Sequence, residues 1–369
     1  MLKSLPVKRL YFILLIPIGY LISILASMYP MYTERYYSMG IYRVFAPIIS
    51  TITGIFPFSI AELSAAAFIL FLIYKLISML LFLLSTKNDK LKYIMCRLIN
   101  FVVLASIIYF SFIMLWGLNY HRLPFSDIAG LRVEASSTQE LKALCIDLAK
   151  RTNQLRENVK ENSAGVMTLS QSKRKLFQAA KLGYDNASKL YNELSGDYGT
   201  AKGILLSRPM SYTGISGIYS PFTVEANVNL NIPDSSLAST VCHEMAHQRG
   251  FAREDEANYI AYITCSMNPD YEIQYSGLLL ALIHSMNALY ANDSRSYNDI
   301  YKSLSEGVRK DLKYSSEFWK QYEGPVEEVQ EKVNDAYLRS NLQEEGIKSY
   351  GRMVDLLIAE YKAKTNPAN

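Results

Sequence analysis

"HEMAHQRGFAREDEAN", residues 243–258, decides how the rest of the chain is read. His243 and His247 stand four residues apart, so on an α-helix they lie one turn above each other on one face, where two imidazole nitrogens can grip a single Zn²⁺. Glu244 follows the first histidine just off that axis, where a carboxylate accepts the proton of a water that the metal activates. Pro233 and Asp234 signal the helix start, with Asp234 as the expected N-cap, and Gly250 offers a left-handed stop. Leu237, Val241 and Met245 are left to face a core, and Cys242 points away from the ligands. The bare five-residue pattern also occurs by chance. Here two of the chain's four histidines fall in it, a breaker glycine follows, and an acidic cluster comes next.

A catalytic zinc needs a third protein ligand and one open position for water. One spacing class places a third histidine where this chain has Arg253, which cannot bind a cation. The candidates are therefore Glu254, Asp255 and Glu256. If a second helix starts near Ala252, Glu254 and Glu256 point about 200° apart, so at most one of them reaches the metal.

"EDEANYIA", residues 254–261, resembles the E-x-x-A-[DN] element of the glutamate-type zincins. The resemblance implies Glu254 as the metal ligand, Ala257 as the residue that packs close to the metal helix, and Asn258 as the support of a ligand histidine. The gap from His247 to Glu254 is shorter than in most of that class, which keeps Glu256 as the alternative ligand. "ERYYSMGIYR", "IFPFSIAEL", "WGLNYHRLPF" and "SPFTVEANVN" extend the likeness to a bacterial family of multi-pass membrane proteins with such a motif. That likeness implies a membrane-anchored zinc hydrolase and brings no substrate with it.

The membrane part is legible in the composition. Half of the chain is hydrophobic, but the apolar residues crowd into residues 1–120, while nearly all Asp and Glu lie in 121–369. Residues 10–29 and 98–120 are uncharged runs long enough to cross a hydrocarbon core as helices. Residues 63–84 match them except for Lys75, whose stem can snorkel to an interface. The first run resembles a signal peptide but lacks a small-x-small cleavage site, so it reads as an uncleaved anchor. Lys3, Lys8 and Arg9 precede the first run, and Lys87, Lys90, Lys92 and Arg97 precede the third. The positive-inside rule places those flanks in the cytoplasm and residues 121–369 outside it. The Tyr-rich stretch 28–63, broken by Pro30, Pro47 and Pro57, reads as an interfacial loop, with packing beneath the following domain as the alternative.

Beyond residue 120 the apolar period becomes that of soluble helices. Ser137 and Glu140 form a capping box ahead of Leu141, Leu144, Leu148 and Leu155. Residues 203–232 break the period with short β-prone pieces, "GILLS", "GIYS" and "FTVEANVNL", which read as a small hairpin or sheet. "SGLLLALIHSMNALY", residues 276–290, is apolar but too short for a span, and reads as a buried core helix. Glu225 reads as an exposed strand residue, with a place near the cleft as the alternative. Tyr219 or Tyr212 is the expected oxyanion donor. Arg249 and Arg253 read as neutralising the acidic cluster, and His121 and His284 as structural. Cys145, Cys242 and Cys265 leave room for one disulfide, with no spacing to say which. A net charge of +4 with no basic stripe excludes nucleic acid as a partner.

The expectation is a mainly α protein: a three-helix transmembrane anchor, then a mostly helical zincin-like metallopeptidase domain with a small β element. It is set in a cell membrane by several passes, with the zinc domain on the extracytoplasmic side and a peptide or protein as substrate. The rival reading is a non-catalytic, zinc-containing receptor or scaffold that binds peptides or cell-wall fragments. Glu244 favours the enzyme, because a purely structural zinc has no use for a carboxylate there.

Overall fold

The computed structural model describes residues 7–85, 90–341 and 352–365; Lys3 and Lys87 of the basic flanks lie outside them. Among the described residues three helices are long and apolar enough to cross a membrane: Lys8–Met28, Ile60–Ser85 and Lys90–Leu115. The first continues from a 3₁₀ stretch into α1 (Leu15–Met28), and the other two are α3 (Ile60–Ser85) and α4 (Lys90–Leu115). The third run was expected to reach residue 120, but the helix ends at Leu115. Trp116, Leu118 and Tyr120 instead turn into a buried aromatic cluster, so they have more to gain from packing than from continuing the helix.

The Tyr-rich connector is helical, contrary to the loop reading. Thr33–Tyr42 forms a π-helix that runs into α2 (Arg43–Gly54), and Thr33, Glu34, Tyr37, Ser38 and Tyr42 are buried. The connector packs beneath the following domain: Tyr37, Tyr42 and Ala46 share a core with Trp116, Tyr198, Val224 and Ala252. Arg122 donates to both oxygens of Glu34, at 2.8 and 2.6 Å, and its guanidinium lies over the Phe251 ring.

The larger core is built from α5 (Thr138–Arg156), α6 (Lys173–Ala187), α7 (Asp234–Gln248), α8 (Glu254–Ser266) and α9 (Tyr271–Asn292). The helices α7, α8 and α9 pack on one another, α5 lies along α9, and α6 closes against α7 and α8. Leu237, Val241 and Met245 are buried, as the apolar period requires, and Gly250 ends the helix with a φ of 83°. A residue with a side chain is strained at that angle, which explains the glycine. Asp234 is not the N-cap. It is the first helical residue, and its carboxylate accepts from Thr168 Oγ1 and Leu169 N, tying the helix start to a neighbouring loop. The Ser137–Glu140 capping box is present, and α9 is a buried core helix rather than a fourth span. Among the described residues four further helices follow: α10 (Ser294–Ser303), α11 (Glu306–Lys320), α12 (Pro325–Ser340) and α13 (Met353–Thr365).

The β element is a three-stranded sheet in the order β1-β3-β2, formed by Lys202–Gly203, Glu225–Val228 and Gly217–Ser220. β2 and β3 make the expected hairpin, whereas "GILLS" supplies only Gly203 to a strand. Glu225 follows neither sequence reading. It is buried, paired with Lys202, and accepts from the backbone N–H groups of Ile60 and Ala61. A carboxylate at a helix N-terminus offsets the positive end of the helix dipole, so this pair clamps the sheet to the start of α3.

Candidate metal centre

Helix α7 presents two histidines to the first turn of α8. The Nε2 atoms of His243 and His247 are 3.1 Å apart, and Glu254 Oε2 lies 3.1 Å from the first and 3.7 Å from the second. One donor atom from each of the three residues falls within 4.8 Å of the others. The opposite ring nitrogens are already engaged. His247 Nδ1 donates to Phe251 O at 2.7 Å, and His243 Nδ1 donates to Asn258 Oδ1 at 2.8 Å. With both Nδ1 positions carrying the protons, both Nε2 positions present lone pairs to one another beside a carboxylate. That arrangement is repulsive unless a cation or an extra proton lies among them. Two imidazole nitrogens and one carboxylate oxygen, facing a cleft, fit the donor preference of Zn²⁺ with a position left open.

Glu256 is not in this group. Its Oε1 accepts from Phe125 N and from Arg253 Nη1, both at 2.8 Å, on the other side of the helix. The roughly 200° between the two glutamates is thus used: one faces the histidines and the other fastens the chain entering from the membrane side. Asp255 is also outside the group, and burial raises its pKa to about 6. Arg253 does neutralise the acidic cluster, whereas Arg249 does not. It is buried between the Tyr184 and Tyr198 rings and donates to Leu194 O and Met245 O.

Glu244 is buried beside His243, with Oε2 in contact with no hydrogen-bond partner. Burial raises its pKa to about 7, against the opposing pull of His243 and His247. Burial disfavours charge on His247, but the Glu254 carboxylate outweighs it and raises that pKa to about 9. Burial would raise Glu254 as well, yet the two imidazoles hold it far below the usual carboxylate range. The same charge pattern, a carboxylate held ionised between two imidazoles, favours positive charge at this point.

A cleft of about 820 Å³ opens over Glu244 and the three donors. Strand β2 forms one wall. Alternation along the strand puts Gly217 and Tyr219 on the same face, Gly217 against Glu244 and Tyr219 beside the His247 ring. A Cβ on Gly217 would lie 2.4 Å from Glu244 Oε1, so only glycine lets the strand come this near. Tyr219 lines the cleft, and Tyr212 packs on Tyr322 outside it. Tyr42 donates to Gln248 O at 3.0 Å and lies 3.0 Å from the Tyr219 hydroxyl, which places a residue of the membrane-side connector directly behind the site.

His284 also lines the cleft, outside the donor group; burial and the nearby charge of His243 lower its pKa to about 4. His121 is buried elsewhere and bonds to Ser23. Cys96, Cys145, Cys242 and Cys265 are all free thiols. Sequence reasoning missed Gly217, Trp116, Tyr42, and Tyr337 of α12, which meet the cleft or its wall from four separate segments. Trp116 lies in "WGLNYH" and Tyr42 in "ERYYSMGIYR", stretches that carry the family resemblance but no period that points to a site.

The chain belongs to a family described as "Protein of unknown function (DUF3810)", whose profile matches residues 37–358. No curated protein and no solved structure matches it.

Proposed function

We propose that this family member is a membrane-anchored, zinc-dependent metallopeptidase that hydrolyses peptide bonds on the extracytoplasmic side of the membrane. The observation that carries the reading is the convergence of two imidazole nitrogens and a carboxylate beside Glu244, which lines the same cleft and whose buried Oε2 has no protein hydrogen-bond partner. His243, His247 and Glu254 are the residues that would hold the metal. Zn²⁺ supplies, when bound, a Lewis acid for the scissile carbonyl and lowers the pKa of a water toward neutrality.

The chain's own residues supply the rest. Asn258 and Phe251 O fix the two rings so that both Nε2 atoms face the same point. Glu244 takes the proton of the attacking water and passes it to the leaving amine, a double role suited to a carboxylate whose proton affinity burial has brought near neutrality. Tyr219 lines the cleft, and we assign it to the developing oxyanion, a role that requires its hydroxyl to leave Tyr42, which accepts its proton while donating to Gln248 O. The charged neighbours Arg249, Arg253, Asp255 and Glu256 support a site outside the hydrocarbon, where such groups would be costly.

The test is zinc content and peptide cleavage by the detergent-purified full chain. One equivalent of zinc is expected in the wild type, in Glu244→Gln and in Glu256→Ala, and none in Glu254→Ala. Cleavage of a mixed peptide pool is expected from the wild type and not from Glu244→Gln. A folded wild type without zinc sinks the reading. Zinc retention with no cleavage of any peptide turns it toward the non-catalytic receptor.

A further inference from the structure

The geometry points to a substrate held in the membrane by an acyl chain: a lipid-anchored amide whose chain lies between the apolar helices and whose polar part reaches the metal cleft. The chemistry rests on the metallopeptidase reading, whereas the groove for the chain does not.

Helix α1 packs along α4, whereas α3 has no buried residue and meets α4 through Phe82, which stacks on Tyr93 near the connection between the two helices. The outer end of α3 is fixed instead by the Glu225 carboxylate. The gap between them is a cavity of about 790 Å³. On α1 it is lined by Tyr20, Ser23, Ile24 and Ser27, and on α4 by residues at the same three-and-four spacing from Phe101 to Ile113. Stripes at that spacing follow the helix axis, so the groove lies parallel to the acyl chains of a bilayer. From Phe101 to Ile113 it runs roughly 18 Å at 1.5 Å per residue, more than half of a hydrocarbon core of about 30 Å.

Its shape fits a chain and not a helix. A substrate helix about 10 Å across would fill the 790 Å³ in roughly seven residues, a third of the ~20 needed to span. The groove also leads somewhere. Phe112, Tyr120, Phe222 and Tyr337 line both it and the metal cleft, and the Tyr120 hydroxyl donates to that of Tyr337 at 2.9 Å. This aromatic threshold lets a headgroup enter the cleft while its chain stays in the groove. At the same end His121 lines the groove, bonded to Ser23 Oγ through Nε2 at 2.7 Å, with its buried Nδ1 unpartnered. In the reaction a C–O bond forms at the amide carbonyl and the C–N bond breaks. The water's proton passes through Glu244 to the leaving nitrogen.

The test uses the full-chain Glu244→Gln protein in phosphatidylcholine nanodiscs. The probe is a short peptide N-palmitoylated with a chain bearing a diazirine, and labelled residues are mapped by mass spectrometry. Labelling is expected on the groove faces of α1 and α4. Excess palmitoyl peptide should displace it, and the same peptide without the chain should not. Ala105→Trp, which fills the groove from an exposed α4 position, should cut labelling at least tenfold while keeping zinc. Equal labelling by a diazirine phosphatidylcholine that palmitoyl peptide does not displace overturns the proposal, as does unchanged labelling of Ala105→Trp. Displacement by a transmembrane helical peptide overturns it in favour of a protein segment. Absence of zinc from the wild type would leave the labelling pattern intact, so the two readings fail separately.

Discussion

Glu254 and Glu256 are two residues apart and do opposite work, one turned to the histidines and the other to Phe125 N and Arg253. Asn258, one turn beyond Glu254, orients His243 through Nδ1. Asn258→Ala should weaken zinc binding by about 10–100-fold with the fold retained, the usual cost of losing such an orienting partner; chelator competition measures it. Unchanged affinity would mean that the His243 ring is held by packing alone. The proton economy of the site gives a second expectation. In the metal-free fold, Glu244 and His247 both hold protons more tightly than in the unfolded chain. Their contribution to stability is complete at low pH. It is lost as pH rises, for Glu244 between its ordinary value of 4.5 and about 7, and for His247 between 6.5 and about 9. Zinc must expel the His247 proton, so its stabilisation grows over the same range. The Tm gap between zinc-loaded and chelator-treated protein should therefore widen from about pH 6 to about pH 8. A gap that narrows would contradict the pairing of His247 with Glu254.

Strand β2 is the element on which the position of the Glu244 carboxylate depends. In Gly217→Ala the new methyl meets Glu244 Oε1, so strand or carboxylate must move. Zinc should be retained and peptide hydrolysis should fall at least tenfold, because about 1 Å of misplacement costs roughly 10²-fold. Activity equal to wild type would show that Glu244 tolerates the shift. Nothing in the sequence marked this glycine, and the reason is general. Features set by neighbours in the chain were legible: the α7 core face, the Gly250 stop, the Ser137–Glu140 box, the buried α9, and the β2–β3 hairpin. Features set by distant partners were not. Glu225 finds its role through Lys202 and the start of α3, and Tyr42 through Tyr219 and Gln248, pairings of high sequence separation that no local period encodes. The helical run over 33–54 was hidden differently. Its prolines and tyrosines resemble a loop, and burial against the second core overrides that local preference.

At the scale of the molecule, α1 ends, α3 begins and α4 ends on the side that carries the candidate metal centre. The basic residues Lys8, Arg9, Lys90, Lys92 and Arg97 lie at the other helix ends. By the positive-inside rule, a periplasmic-type phosphatase fused beyond Thr365 should be active and one inserted between Ser85 and Lys90 inactive; the reverse pattern would turn the protein over. The two halves are also locked together by buried polar groups. Glu34 pairs with Arg122, Gln248 Nε2 donates to Ser50 Oγ at 3.0 Å, and Lys202 donates to Thr53 O and Phe58 O. Cutting the chain at residue 121 would leave Arg122 buried without its carboxylate, a loss of about 3–5 kcal/mol from a fold whose total stability is of order 5–15 kcal/mol. It would also expose the aromatic core that Tyr37, Tyr42 and Trp116 complete. Residues 121–369 expressed alone should therefore neither unfold cooperatively nor hold stoichiometric zinc. Glu34→Gln in the full chain should lower Tm by several degrees and keep the metal. A truncated piece that folds and binds zinc as the full chain does would show that the membrane helices tether the site without shaping it.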